Sequence, residues 1–302
     1  MNSGSDIGFV GELAALGTAC CWVVTSLAFT RAGQRVGSLA VNYVRLFFAL
    51  PMLCAVTFVL RGQLLPIDAS GEAWMWLSLS GVIGFVFGDM CLFRAFILIG
   101  PRLSSLIMAT APLMTAVIGY LVLGEALGLA ALLGMVLTIA GVAWALADRS
   151  ATRVGDGGSR GWGVVLALGG ALGQALGLVL SKHGMGDFDA FAATQIRVIA
   201  AFVGWSLVMI LAGKWSSVGK TMRDSIAMRL LAFGAFFGPV VGVGLSLLAV
   251  QRTHAGVAAS IMSVTPILLI PIMVIVYRER VGVGSVLGTF LAVGGVVVLF
   301  LV

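Results

Sequence analysis

Asp89 is the residue of this chain with the strongest claim to chemistry: a carboxylate near the middle of an apolar run, preceded by Gly88. At bilayer depth an ionised carboxylate costs at least about 2.5 kcal/mol on insertion scales, so it must face a partner or a cavity and not lipid. Three fates are open to it: an ion pair with Arg45 or Arg94, contact with a substrate amine or a transported proton, or a protonated and idle state. Arg45 and Arg197 sit at matching depths in two other apolar runs. Either has the planar fork that grips a carboxylate, and either could instead pin a helix or snorkel. Arg94, near the end of its run, reads as snorkelling. Pro112 and Pro266 mark corresponding points of two further runs. A proline inside a membrane helix frees backbone carbonyls that need polar neighbours or a wet cavity, so paired breaks point to a substrate site and its gating, the bland reading being a kink that shapes packing. Ser104, Ser105, Thr110 and Thr115 surround the first break, and Ser260, Ser263 and Thr265 the second. Such hydroxyls either line a site or bond back to their own helix. Trp22, Tyr43, Tyr120, Gln174 and Gln195 complete an apolar wall with a few placed polar groups, as a small amphiphile requires.

The elements that must position these groups are membrane spans. Hydrophobic residues make up 60% of the chain and charged ones 10%, with a mean hydropathy of +1.13, which no soluble domain of this length approaches. Ten apolar stretches, near 10–30, 38–60, 74–98, 102–123, 127–147, 161–182, 188–212, 228–250, 255–277 and 282–302, are long enough to cross a hydrocarbon core. The chain is also an internal repeat. At a shift of 154, Pro112 falls on Pro266, Glu125 on Glu279, Gly134 on Gly288, Gly141 on Gly295, and Gly84 and Gly88 on Gly238 and Gly242; at a shift of 152, Gly17, Arg45 and Ala49 fall on Gly169, Arg197 and Ala201. Five spans per copy is an odd number, so the second copy enters from the opposite side. The expected fold class is an all-α polytopic membrane protein, ten transmembrane helices in two inverted five-helix repeats, 1–150 and 151–302, together forming one transport domain. Asp89 has no acid at its counterpart, Val243.

Two five-helix halves, Gly/Pro-bearing fourth and ninth helices closing on Gly124-Glu125 and Arg278-Glu279, and an arginine in the second and seventh helices resemble the ten-helix, EamA-type members of the drug/metabolite transporter superfamily. The resemblance covers about residues 8 to 302, and within it the YddG-type exporters of aromatic and neutral amino acids look nearest. It implies a transporter and not an enzyme, without a cofactor, that moves a small-molecule substrate outward by alternating access. The expected binding residues are Asp89, Trp22, Tyr43, Ser104, Thr110, Gln174 and Ser263, with Pro112, Pro266, Gly88 and Gly242 at the moving parts, between helices 3, 4, 8 and 9. Efflux of lipophilic cations is the alternative, with Asp89 as counter-charge and the aromatic residues as π faces.

Charge placement bears on orientation. Arg31, Arg35, Arg102, Arg149, Arg153, Arg160, Lys214, Lys220, Arg223, Arg229, Arg278 and Arg280 lie in odd-numbered loops, against Arg61, Lys182 and Arg252 on the side of the termini. The positive-inside tendency therefore puts both termini outside a bacterial-type inner membrane, although the superfamily resemblance implies cytoplasmic ends. Anionic lipid accounts for the net charge of +6 without nucleic acid. No basic start precedes the first run, so helix 1 is expected to be retained. Cys20, Cys21, Cys54 and Cys91 lie within spans as small apolar fillers, and no metal set is apparent. An intramembrane aspartyl protease needs two facing aspartates, and only Asp89 is deep in a span; no His-Glu-x-x-His run exists. The stretch from Gly213 to Thr221 spaces its glycines wrongly for a phosphate loop. A passive channel suits a symmetric oligomer better than one duplicated chain, for which a monomer is the working expectation.

Overall fold

In lipid a backbone must satisfy its own polar groups, and a chain this apolar does so by staying helical. The computed structural model describes residues 5–147, 157–265, 267–268, 271–272 and 282–301, and every regular element among them is a helix. In the first half these are α1 (Ser5–Val36), α2 (Ser38–Arg61), α3 (Gly71–Gly81), a π-helical segment (Val82–Gly88), α4 (Asp89–Met108), α5 (Ala111–Leu123) and α6 (Leu129–Ala147). In the second they are α7 (Gly157–Met185), α8 (Ala190–Leu211), α9 (Trp215–Arg223), α10 (Ser225–Ala235), a second π-helical segment (Phe236–Gly242), α11 (Val243–Arg252), α12 (Ala255–Met262) and α13 (Val283–Phe300). Phe9–Val36, Ser38–Arg61, Gly71–Ala95, Gly161–Met185, Ala190–Leu211 and Ser225–Arg252 are long and apolar enough to cross a membrane, and Ala111–Leu123, Leu129–Trp144 and Val286–Phe300 are shorter apolar helices. The protein is an all-helical, polytopic membrane protein.

Four expectations from the sequence need correction or stand outside the described residues. The loop expected at 99–101 is absent: helix continues to Met108, and the chain breaks at Ala109–Thr110 instead. Leaving the helix at membrane depth strands backbone donors, so helix persists past a local breaker. The second copy breaks at Ser263–Val264, the same place under the shift of 154. Pro112 is therefore not a mid-helix kink but stands in the first turn of α5, where its missing N–H costs nothing. Pro266, Arg278 and Glu279 lie outside the described residues. Finally, 213–224 is not an open loop. It forms α9, in which Trp215, Val218 and Met222 share a stripe while Lys220 and Arg223 are exposed. Asp224 then caps α10, and the Ala227 N–H and the Arg35 guanidinium beside it hold its carboxyl below the usual carboxylate range.

The sequence repeat reappears as reciprocal contact. A methyl group at Gly141 in α6 would stand 2.3 Å from the backbone nitrogen of Ala292 in α13, and one at Gly295 in α13 would stand 2.5 Å from that of Thr138 in α6. Gly141 and Gly295 are repeat mates, as are Thr138 and Ala292. The same holds elsewhere: a methyl at Gly17 would lie 3.2 Å from Leu245 and one at its mate Gly169 would lie 3.4 Å from Cys91. Residue i touching the mate of j, while the mate of i touches j, is what a two-fold relation produces. Small residues at these positions let backbones close where lipid supplies no hydrophobic drive. The strongest packing accordingly crosses between halves: α6 lies along α13, α4 along α7, and α1 against α10 and α11.

Candidate functional site

Both π-helical segments occupy the same place in the repeat, since Val82–Gly88 shifted by 154 is Phe236–Gly242. A π turn widens the helix and releases backbone groups from their regular partners, and such turns recur at functional sites. In the first copy the widening follows from packing. A methyl at Gly173 of α7 would lie 2.7 Å from the Cα of Gly88, and one at Gly177 would lie 3.1 Å from that of Gly84. The carbonyl of Phe85 is taken by the indole N–H of the fully buried Trp205 at 2.7 Å. In the second copy Pro239, which has no N–H to give, stands inside the segment, and Gly238 and Gly242 face Thr25 and Cys21 of α1. Thr25 and Cys21 are the repeat mates of Gly177 and Gly173, so each π segment is seated on the first helix of the other half.

Asp89 follows the first π segment directly and is buried. One carboxylate oxygen is in an ion pair with the guanidinium of Arg45 from α2. The other accepts a hydrogen bond from Nε2 of Gln174 in α7 at 3.1 Å. Both oxygens are thus engaged by the protein. Arg45 lies 5.7 Å from the ring centre of Phe29, and its Nε is buried without a partner. Arg197 of α8 is 5% exposed and rests on the Phe85 ring at 4.9 Å. Among the described residues it makes no ion pair or hydrogen bond, although it lies within electrostatic reach of Asp89. The repeat frame is symmetric, but its chemistry is not. Where the first copy has Asp89 the second has buried Val243, and where α7 has Gln174, α1 has Trp22, whose Nε1 would lie 3.3 Å from a methyl at Gly242.

Not all expected site residues gather here. Gly88, Asp89, Arg45, Gln174 and Arg197 do, drawn from the second, third, sixth and seventh of the expected spans; of spans 3, 4, 8 and 9, which were expected to line the path, the third contributes to this group. Trp22 and Gly242 form the apolar counterpart on the other side of the repeat. Tyr43 points elsewhere: its ring stacks on Phe202 at 5.1 Å and meets Trp215 edge-on at 5.2 Å, because it lies two residues from Arg45 and faces away. Thr110 and Ser263 sit at the two helix breaks, where their hydroxyls donate back to Ile107 at 2.7 Å and Ser260 at 2.7 Å. Ser104 is buried in α4. Gln195 donates to the Leu64 carbonyl at 2.8 Å and fastens the 62–70 segment to α8. The π segments themselves escaped the sequence reading, though Gly-x-x-x-Gly at 84–88 and 238–242, with Pro239 between the second pair, was their signal.

A second polar cluster joins the halves at the other end of the helices. Gly124 ends α5 in a left-handed turn at φ 68°, the conformation glycine adopts most cheaply. Glu125 then reaches across. One oxygen forms an ion pair with Lys182 at the end of α7, and the other accepts the Ala255 N–H at the start of α12 at 2.8 Å. Lys182 also donates to the Thr253 carbonyl at 2.6 Å. Among the described residues no three His, Cys, Asp or Glu side chains converge as metal ligands.

A sequence model of the EamA-like transporter family matches residues 9–147 and again 161–301. A crystal structure, titled only as that of a protein, superposes with a TM-score of 0.72 over 95% of this chain and 94% of that one at 18% identity, a likeness of fold. No curated protein matches the chain.

Proposed function

Since the chain belongs to the EamA-like transporter family, within the drug/metabolite transporter superfamily, we propose that it carries small amphiphilic metabolites by alternating access, with the path between the repeats at the paired π segments. The observation that carries this is the buried Arg45–Asp89–Gln174 group beside Arg197, set on one of two symmetric helix irregularities. Irregular backbone at matching positions of two repeats is where transporters of this construction place their sites. Close glycine seats on either side let one half shear on the other.

The finer reading is ten spans, in halves 1–150 and 151–302 of opposite orientation, with the arginine-rich odd loops cytoplasmic in a bacterial-type inner membrane and the chain working as a monomer. Neutral and aromatic amino acids, exported as by YddG-type relatives, are the proposed substrates. Of the expected binding residues, Asp89, Gln174 and Trp22 remain the core of this proposal. Lipophilic cations are disfavoured, because both oxygens of Asp89 are already engaged. The test is flux of radiolabelled phenylalanine and threonine into liposomes holding the purified protein, beside Asp89→Asn. Wild-type flux above empty liposomes, lost in the variant, is the expected result. Flux of a quaternary ammonium with neither amino acid carried would replace the substrate assignment with the cationic one.

A further inference from the structure

The site holds two cations and one anion. Arg45 and Arg197 are repeat mates, and Asp89 serves Arg45 directly. Under the repeat relation the acid that would serve Arg197 belongs at position 243, which is valine. Arg197 is consequently a guanidinium at bilayer depth, 5% exposed, its Nε enclosed without a partner among the described residues and its plane supported by the Phe85 ring. A buried charge left in this state is costly, and such residues in membrane proteins mark ligand sites. Gly84 clears the space beside it, since a methyl there would lie 3.3 Å from its Nη2.

We infer that Arg197 binds the carboxylate of the transported molecule, so that the substrate class is amphiphilic carboxylates in which an amine is dispensable. This rests on the transport reading above and sharpens it. The guanidinium fork matches a carboxylate in two parallel hydrogen bonds, the Phe85 ring fixes its plane, and the substrate supplies the charge that Val243 lacks. Asp89 is not free to receive an amine, because its two oxygens are spent on Arg45 and Gln174. Loading and release then alternate between a site with one uncompensated positive charge and a neutral one.

The experiment compares 3-phenylpropionate, phenylalanine and 2-phenylethylamine as counterflow substrates for the reconstituted full chain, with thermal unfolding in detergent read alongside. Wild type is expected to carry the first two and not the third. Arg197→Gln should lose carboxylate flux by roughly 10- to 100-fold, the worth of a charged hydrogen-bonded contact, while its empty form melts no lower than wild type. Val243→Asp should supply the missing internal carboxylate, raising the melting temperature and abolishing flux. The inference is overturned if 2-phenylethylamine is carried and 3-phenylpropionate is not, or if Arg197→Gln carries 3-phenylpropionate as wild type does. It is equally overturned if Arg197→Gln melts well below wild type, which would make Arg197 a structural pin whatever Val243→Asp does. Each of these three results leaves the transport reading standing. Absence of flux for all three compounds would remove that reading and this one together.

Discussion

Asp89 and the two arginines beside it illustrate how unequal three buried charges can be. Arg45 has a carboxylate and Arg197 an aromatic ring, so loss of Asp89 should fall harder on Arg45 than on Arg197. Asp89→Asn strips from Arg45 the counter-charge it is paired with, and removing one member of a buried pair costs about 3–5 kcal/mol. Unfolding of the detergent-solubilised variant should show a loss of that order, and Arg45→Met combined with Asp89→Leu should recover much of it. A double variant no more stable than Asp89→Asn would mean that the pair does more than neutralise itself. Much of this was legible in the sequence, because an acid and an arginine in adjacent apolar runs have few ways to be paid for except each other. Tyr43 was not, since depth in a span says nothing about which face of the helix a side chain takes. The solitary state of Arg197 was hidden as well, for it depends on which of two symmetric cations the single acid reaches.

At the scale of the helix, the two π segments are where sequence pattern and observed structure part. Apolar length identified spans at both places, and the glycines there were read as repeat mates, but a one-residue change of register leaves the hydrophobic pattern almost unaltered. Seven-residue segments at identical repeat positions are a consequence of seating, not of propensity: Gly84 and Gly88 lie against Gly177 and Gly173. Gly173→Val should therefore destabilise by about 1–3 kcal/mol through overpacking and depress flux further than its stability alone explains. Gly294→Ala, with open space around it, should do neither. Thermal unfolding with counterflow on the same preparations separates the two effects. The helix breaks at 109–110 and 263–264 were expected near prolines, and the first falls just ahead of Pro112, since the first turn of a helix is where proline fits best.

For the whole molecule, the connection between halves at one end is the Glu125 cluster. Gly124 turns the chain so that Glu125 can hold Lys182 and the start of α12 at once. If this end must part for substrate to pass, Glu125→Ala should raise the reactivity of a cysteine placed at Ala255 toward a membrane-impermeant maleimide, and the exchange Glu125→Lys with Lys182→Glu should lower it again. Equal labelling of the original and Glu125→Ala would show that the cluster does not govern opening. The Gly-Glu step was visible in the sequence only as a repeat landmark; its work across the interface was not, because a turn and a reach are properties of three helices together. The reciprocal packing also reverses the ordinary relation between a duplicated chain and its copies. Helix α1 finds its partners in α10 and α11, and α4 finds its partner in α7, so a ribosome that has finished the first copy has made glycine faces with nothing to lie against and an Asp89 whose Gln174 is still unwritten. Biogenesis of this protein should therefore have no halfway house: the first copy gains its main packing partners when the second has been threaded in beside it.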